Sequence, residues 1–131
     1  MNIALILSGG TGNRLGADIP KQYITVGDKP IISYCIECLS RHKRIDAIQI
    51  TAALEWQGRI SRWLARADEG GKFRGYSLPG GNRQLSILHG LEDIRGYAAD
   101  SDWVLIHDAA RPMLPRQLVD GCLDAARGHE G

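Results

Sequence analysis

The sequence has little of several features that direct a protein to membranes or nucleic acids. Its formal net charge is only +1, from 16 basic and 15 acidic residues, and no block of like charges marks a nucleic-acid or membrane surface. No apolar run reaches transmembrane length. The apolar start, Ile3 to Leu7, is too short for a signal-peptide core and has no basic leader. We therefore expect a cytoplasmic protein that binds neither membrane nor nucleic acid.

Cysteine is also scarce, with three residues in 131. Cys35 and Cys38 form a C-x-x-C pair, and Cys122 lies far along the chain. A redox pair belongs at a helix N-terminus, where the thiolate is stabilised, but this pair falls inside a helical pattern. No second pair exists to complete a zinc site. We therefore predict that Cys35 and Cys38 are buried core thiols.

The apolar pattern alternates between strand-like and helix-like segments. At 131 residues and 44% apolar content, one compact domain over residues 1–131 is expected. Strands are predicted at Ile3–Leu7, Ala47–Thr51, Phe73–Leu78 and Trp103–Ile106. Helical stripes are predicted at Ile31, Ile32, Cys35, Ile36 and Leu39; at Trp56, Ile60, Trp63, Leu64 and Ala67; at Ile87, Leu88, Leu91 and Ile94, ending at Gly96; and at Leu118, Val119, Cys122, Leu123 and Ala126. The tryptophans are read as packing residues. Alternation of this kind predicts a Rossmann-like α/β fold, a mostly parallel sheet with helices on both faces.

A glycine-rich loop follows the first predicted strand. It contains Gly9, Gly10, Gly12 and Gly16, which let the backbone turn tightly and approach a ligand closely. Backbone N–H groups in such loops form an anion-binding concavity. Arg14 within the loop and Lys21 after it add two cations, so the segment predicts a nucleoside triphosphate site.

Two better-known phosphate loops do not fit this segment. The dinucleotide fingerprint is G-x-G-x-x-G at the start of a helix, whereas Gly10, Gly12 and Gly16 give G-x-G-x-x-x-G, and Pro20 disfavours helical geometry at Ile19. The Walker loop is excluded because no Lys follows a glycine at its spacing. An ordinary glycine turn remains the alternative interpretation.

Three segments are expected to meet where the parallel strands end. In such sheets, ligands bind outside the carboxyl ends of the strands. The segments are the loop after Leu7, the turn at Gly80-Gly81, and His107-Asp108-Ala109-Ala110-Arg111-Pro112 after the fourth strand. Asp108 there suits Mg²⁺ on a triphosphate, because that ion takes a few carboxylates plus phosphate oxygens. A helix cap or turn residue is the alternative reading of Asp108.

Together these segments resemble the cytidylyltransferases that act on sugar-alcohol phosphates. The resemblance is carried by Gly9-Gly10-Thr11-Gly12-Asn13-Arg14-Leu15-Gly16, Pro20-Lys21-Gln22-Tyr23, Lys29-Pro30-Ile31, Gly80-Gly81-Asn82-Arg83-Gln84-Leu85-Ser86-Ile87 with Gly90-Leu91, and the hexapeptide 107–112. It implies a nucleotidyltransferase fold, GT-A-like. It also implies transfer of a cytidylyl group from CTP to an alditol phosphate with release of pyrophosphate. The best-known members act on 2-C-methyl-D-erythritol 4-phosphate in isoprenoid synthesis, and close relatives act on ribitol 5-phosphate.

The resemblance also implies a role for individual residues. The catalytic cations would be Arg14 and Lys21, which stabilise charge on the α-phosphate. Asp108 would ligate Mg²⁺, and Arg111 would contact the phosphate of the second substrate. Gly10 and Gly12 would wrap the CTP phosphates, and Gly80, Gly81 and Ser86 would line the cytosine and ribose pocket. Gly9, Thr11 and Arg83 would also belong to the substrate-binding residues.

The chain departs from the family pattern in several places. The segment between Gly81 and Arg83 is one residue shorter, and Ser8 replaces the alanine usual before the glycines in the methylerythritol enzymes. Members of the family are considerably longer, and their later part supplies a second metal-binding Asp, a second catalytic Lys and an arm that completes the site of a homodimer. We therefore expect the 131-residue chain to lack the C-terminal part of the family, to bind nucleotide weakly and to turn over poorly.

Other functions stay open from the sequence. Ribitol phosphate is an alternative substrate, and Glu55-Trp56 is similar to that branch. A sugar-1-phosphate nucleotidyltransferase using UTP or GTP shares a similar start, but Arg111-Pro112 argues against it. A non-catalytic nucleotide-binding fragment is a further alternative. An oxidoreductase is disfavoured by the glycine spacing and by the absence of a ribose-binding carboxylate.

Overall fold

A computed structural model describes residues 1–9, 19–111 and 116–128. The elements in chain order are β1 (Asn2–Leu7), a 3₁₀ turn (Lys21–Tyr23), β2 (Thr25–Val26), β3 (Lys29–Pro30), α1 (Ile31–Arg41), β4 (Ala47–Thr51), α2 (Leu54–Ala67), β5 (Phe73–Ser77), α3 (Arg83–Ile94), β6 (Trp103–Asp108) and α4 (Arg116–Gly128). The main sheet has the order β5-β4-β1-β6, and all three of its strand pairs are parallel. The predicted α/β class and parallel sheet are confirmed.

Strand β1 lies at the centre of the sheet and is buried on both faces. Ala4 and Ile6 face the larger core, which α1, α2 and α4 cover. Ile3 and Leu5 face a smaller core, which includes Ile94 of α3. This two-sided burial explains the nearly continuous apolar run in the sequence, because a strand covered on both faces has no polar side.

Helix α3 packs against the sheet through small residues. Its buried residues are Ser86, Gly90 and Ile94, and a Cβ on Gly90 would lie 2.6 Å from Leu5 Cδ1. The small residues let the helix axis approach β1, whereas Leu88 is exposed. The predicted stripe that included Leu88 was therefore wrong in part, because small and polar residues, not the leucine, face the sheet.

The predicted packing role of two tryptophans is confirmed. Trp56 of α2 stacks on Tyr23 with ring centroids 4.3 Å apart, and Trp63 lies tilted at 5.9 Å from the same ring. Both tryptophans are partly buried against the larger core. The segment after the glycine loop is thus anchored to α2 by aromatic contacts.

The cysteine prediction is correct for Cys35 and wrong for Cys38. Cys35 is fully buried, and burial raises the pKa of its thiol. Cys38 is exposed, because it lies roughly 125° around the helix from the face of α1 that carries Ile32, Ile36 and Leu39. In α4, Val119 and Leu123 are buried while Cys122, also placed in the predicted stripe, is exposed.

Several element ends differ from the prediction. Strand β6 continues two residues to Asp108, β5 ends at Ser77, and α3 runs from Arg83 to Ile94 and so stops before Gly96. The small antiparallel pair β2–β3 was not predicted, since strands of two residues carry no periodic signal. Within the described ranges, no helix is long and apolar enough to cross a membrane.

Candidate active site

The carboxyl ends of all four parallel strands lie at one edge of the sheet. Gly9 follows β1, Pro79 follows β5 closely, and Asp108 ends β6. Backbone hydrogen bonds continue the sheet into this edge, from Ser8 N to Thr51 O at 3.0 Å and from Ala109 N to Leu7 O at 2.9 Å. The edge is therefore a rigid platform on which short loops present their side chains.

The loops after β1 and β5 touch each other. A Cβ placed on Gly9 would lie 2.3 Å from Pro79 Cβ, so glycine is required at this position for the two loops to meet. The loop after β5 thus reaches past the end of β4 to the loop after β1. The first and second sequence segments are brought together by this contact.

The turn at residues 79–82 is held by α3. The Ser86 hydroxyl accepts a hydrogen bond from Gly80 N at 3.0 Å, and Asn82 caps the helix by accepting from Leu85 N at 2.8 Å. A Cβ on Gly80 would lie 2.2 Å from Leu85 Cβ. Ser86 is buried, so its hydroxyl shapes the turn from beneath. Gly81 is exposed at the tip.

Arg83 and Asp108 join the second and third segments. Arg83 Nε lies 3.7 Å from Asp108 Oδ1, and the two side chains are 61% and 42% exposed. Among residues 1–9, 19–111 and 116–128, no group of three or more His, Cys, Asp or Glu side chains is placed to hold a metal. One accessible carboxylate nevertheless fits Mg²⁺, which needs few protein ligands when phosphate oxygens complete its octahedron.

The turn after β6 orients Arg111. Arg111 N donates to Asp108 O at 3.1 Å, and the Arg111 carbonyl lies 2.9 Å from Nε2 of the buried His107. The Arg111 side chain is exposed. His107 therefore secures the turn from the core side, a role that the sequence analysis did not assign.

The backbone around Lys21 is fixed to the end of β1. Gln22 Nε2 and Tyr23 Oη donate to Ser8 O at 2.6 and 2.9 Å. Gln22 and Tyr23 are buried while the Lys21 side chain is exposed. Sequence reasoning missed Ser8, Gln22 and Tyr23 as contributors. The signal for Ser8 was the serine at a position where the methylerythritol enzymes usually have alanine.

The predicted site residues divide into two groups. The structure places Gly9, Lys21, Gly80, Gly81, Arg83, Ser86, Asp108 and Arg111 on the loops and helix start at this edge of the sheet. Gly10, Thr11, Gly12 and Arg14 lie outside the described residues, as does Pro112.

The described residues give this edge the character of an anion site. Lys21, Arg83 and Arg111 are exposed cations, and the N-terminus of the 12-residue helix α3 adds the positive end of a helix dipole. Asp108 is the acidic side chain paired with one of these cations. Such an arrangement is suited to polyanionic phosphates with a bridging divalent cation.

Comparisons with known proteins agree on one family. Residues 2–131 match the family model described as 2-C-methyl-D-erythritol 4-phosphate cytidylyltransferase. The protein of that name from Nitrosomonas eutropha is 37% identical over 126 residues, covering 93% of this chain and 52% of the relative. The ribitol-5-phosphate cytidylyltransferase of Vibrio parahaemolyticus is 34% identical, covering 98% and 54%.

The fold agrees with a solved structure from Anaerococcus prevotii. That protein, named 4-diphosphocytidyl-2C-methyl-D-erythritol synthase, superposes with a TM-score of 0.75 at 28% identity, covering 96% of this chain and 50% of that one. The chain spans about half the length of the curated relatives it matches.

Proposed function

Because the chain belongs to the 2-C-methyl-D-erythritol 4-phosphate cytidylyltransferase family, we propose that it transfers a cytidylyl group from CTP to an alditol phosphate. The proposed acceptor is 2-C-methyl-D-erythritol 4-phosphate, and the second product is pyrophosphate. The observation that carries the proposal is the meeting of three family-like segments at one sheet edge, through the Gly9–Pro79 contact and the Arg83–Asp108 pair. The proposed unit is a single nucleotidyltransferase domain over residues 1–131.

The proposed chemistry needs no nucleophile from the protein. A phosphate oxygen of the acceptor forms a bond to the α-phosphorus of CTP while the bond from that phosphorus to the bridging oxygen breaks, and pyrophosphate leaves with the electron pair. Reactions of this type depend on positioning and on stabilisation of developing negative charge. The exposed cations at the sheet edge are suited to that task.

Each site residue has a proposed part in this reaction. Lys21 and Arg14 stabilise charge at the α-phosphate, and Arg111 binds the phosphate of the acceptor. Gly9 and the turn at Gly80-Gly81 leave room for backbone approach to CTP. Asp108 would hold Mg²⁺, which when bound neutralises charge on the triphosphate. Arg83, 3.7 Å from that carboxylate, is placed to share the same phosphates.

Ribitol 5-phosphate is the second candidate acceptor. The Vibrio relative is nearly as similar as the Nitrosomonas one, at 34% against 37% identity. Trp56, part of the Glu55-Trp56 pair, stacks on Tyr23, whose hydroxyl donates to Ser8 O directly after β1. A homodimer is proposed for the full-length family form.

The deciding experiment measures pyrophosphate release from each of the four nucleoside triphosphates. The acceptors are 2-C-methyl-D-erythritol 4-phosphate, ribitol 5-phosphate and erythritol 4-phosphate, and the protein is its longest natural form. Release only with CTP and the methylerythritol phosphate supports the proposal, and release with ribitol 5-phosphate selects the second candidate. CTP binding by calorimetry with no release from any pair would identify a non-catalytic nucleotide-binding protein.

A further inference from the structure

Ser8 is the centre of a buried hydrogen-bond cluster, here called the Ser8 pin, which consists of Ser8, Gln22 and Tyr23. The Ser8 carbonyl accepts from Gln22 Nε2 at 2.6 Å and from Tyr23 Oη at 2.9 Å. The Tyr23 hydroxyl also lies 3.1 Å from Ser8 Oγ. Ser8 Oγ donates to Thr51 O at 2.5 Å. The pin therefore ties the segment after the glycine loop to two central strands at once.

The pin is buried, and hydrogen bonds hold its members in place. Ser8 is 2% exposed, Gln22 7% and Tyr23 5%. Burial raises the pKa of Tyr23, with opposing contributions from its hydrogen-bonding neighbours, so its hydroxyl keeps its proton and acts as a donor. Trp56 stacks on the Tyr23 ring at 4.3 Å. The ring would therefore stay in place if the hydroxyl alone were removed.

Lys21 is held between two rigid points. Pro20 precedes it with φ of −55°, and Tyr23 N donates to Pro20 O at 3.0 Å. Gln22 and Tyr23 follow it directly and carry the pin. The exposed Lys21 side chain therefore projects from a backbone whose position relative to the end of β1 is set by side-chain hydrogen bonds.

We infer that the hydroxyls of Ser8 and Tyr23 are positioning groups for Lys21. They hold its ammonium at a fixed position relative to the phosphate site at the end of β1. The inference rests on the proposed function of Lys21. A purely space-filling role would be met by alanine and phenylalanine at the two positions. The two hydroxyls also fix the relative position of separate segments. The Ser8 hydroxyl bonds to Thr51, 43 residues away in sequence, and the Tyr23 hydroxyl bonds to Ser8, 15 residues away.

The first test is a double-mutant cycle between Tyr23→Phe and Lys21→Ala in the longest natural form of the protein. We expect Tyr23→Phe to lower kcat about tenfold, the effect of one well-placed hydrogen bond, with KM for CTP changed less than about twofold. Ser8→Ala should likewise lower kcat about tenfold and change KM for CTP less than about twofold. In the Lys21→Ala background, Tyr23→Phe should have no further effect, since nothing remains to be positioned.

Tyr76→Phe is the matched control. Its hydroxyl is also hydrogen-bonded, to Ser61 and to Gln57 O, but it lies outside the pin, and kcat should stay within about twofold of the wild type. If Tyr23→Phe lowered kcat by the same factor with and without Lys21, the pin would only stabilise the fold, and the inference would be overturned. Full turnover by Lys21→Ala would instead remove the proposed role of Lys21.

The second test does not require turnover. Trypsin cleaves after Lys21, and cleavage requires Gln22 and Tyr23 to detach from Ser8. When opening is fast, the cleavage rate follows the population of the open form. We expect Tyr23→Phe and Ser8→Ala to raise cleavage of the Lys21–Gln22 bond about tenfold, with cleavage after Lys43 unchanged and no rise in Tyr76→Phe. Unchanged cleavage at Lys21 in both pin variants would overturn the inference.

Discussion

Arg83 Nε lies 3.7 Å from Asp108 Oδ1, so the first residue of α3 and the last residue of β6 form an ion pair across the sheet edge. Both side chains are substantially exposed, and such pairs add little to stability. The pair instead neutralises part of the positive charge of the site, whose other exposed cations are Lys21 and Arg111. In the proposed function, a magnesium triphosphate would give each side chain a new partner, the cation for Asp108 and phosphate oxygens for Arg83.

The first prediction is that Asp108→Asn weakens the binding of CTP in Mg²⁺ but leaves the binding without Mg²⁺ unchanged or stronger. The amide is a poorer magnesium ligand, and its removal of negative charge frees Arg83 for phosphate. Calorimetric titration with and without Mg²⁺ measures both quantities. Asp100→Asn, an exposed position outside the site, serves as the control. An unchanged gain in affinity from Mg²⁺ in the Asp108 variant would exclude a metal role.

A second prediction concerns the two proposed catalytic cations. In the longest natural form, Lys21→Ala and Arg14→Ala should each lower kcat by at least about a hundredfold, as loss of one charge-stabilising donor does elsewhere. The Lys21 side chain is exposed, so the thermal midpoint should stay close to that of the wild type. Steady-state kinetics and thermal unfolding measure the two effects. Near-normal kcat in either variant removes that residue from the catalytic role.

Gly80 and Gly81 should respond differently to the same substitution. A Cβ on Gly80 would lie 2.2 Å from Leu85 Cβ and 2.8 Å from the Leu85 carbonyl carbon, whereas one on Gly81 has only Leu85 Cδ1 at 4.0 Å. We expect Gly80→Ala to lower the free energy of unfolding by about 1–3 kcal/mol through overpacking. Gly81→Ala should change it by less than about 0.5 kcal/mol. Urea unfolding measures the free energy of unfolding of both variants. An equal decrease in the two would show that the turn is not held by α3.

Asp68 should make stability depend on pH in acid. Burial acts to raise its pKa, but hydrogen bonds from the Ser40 hydroxyl and from the backbone N–H groups of Lys72 and Phe73 lower it below its ordinary value of 3.8. The folded state therefore binds this proton more weakly than the unfolded state. Its contribution is present above the unfolded pKa and is lost as the pH falls through the folded pKa.

The matched variants for that prediction are Asp68→Asn and Asp100→Asn. Urea unfolding at pH 6 and at pH 3 should show a larger loss of stability for the wild type than for Asp68→Asn. Asp100→Asn should follow the wild type, because Asp100 is exposed at the far end of the sheet from the site. Parallel pH profiles for all three proteins would rule out this role of Asp68.

Much of the fold was readable from the sequence because its signals are local. Strand β1 is apolar on both faces, and α2 carries its buried residues, Ile60, Leu64 and Ala67, at helical spacing. Helix α3 was harder to place, because its contact with the sheet is made by Ser86 and Gly90 while apolar Leu88 faces solvent. Close approach of a helix selects small residues, and small residues give no hydrophobic signal.

The sequence predicted the site only at residues whose type indicates their chemistry, such as a carboxylate or a glycine pair. The segments around Gly80-Gly81 and Asp108 were expected at the sheet edge, where the structure puts them. The Arg83–Asp108 pair and the Ser8 pin were not foreseen, because each joins residues far apart in sequence through the geometry of the folded sheet. Gly10, Thr11, Gly12 and Arg14 remain predictions, since they lie outside the described residues.

The central place of β1 has a consequence for biosynthesis. Its six residues pair with Trp103–Asp108 on one side, so β1 waits for a strand that is translated much later. At about 5–20 residues per second, that wait is roughly 5–20 s. During that time, the edge of β1 that later pairs with β6 has no hydrogen-bond partner, and chaperones or other nascent chains can bind to it. The yield of folded protein should therefore depend on the speed at which the ribosome translates the region between β4 and β6.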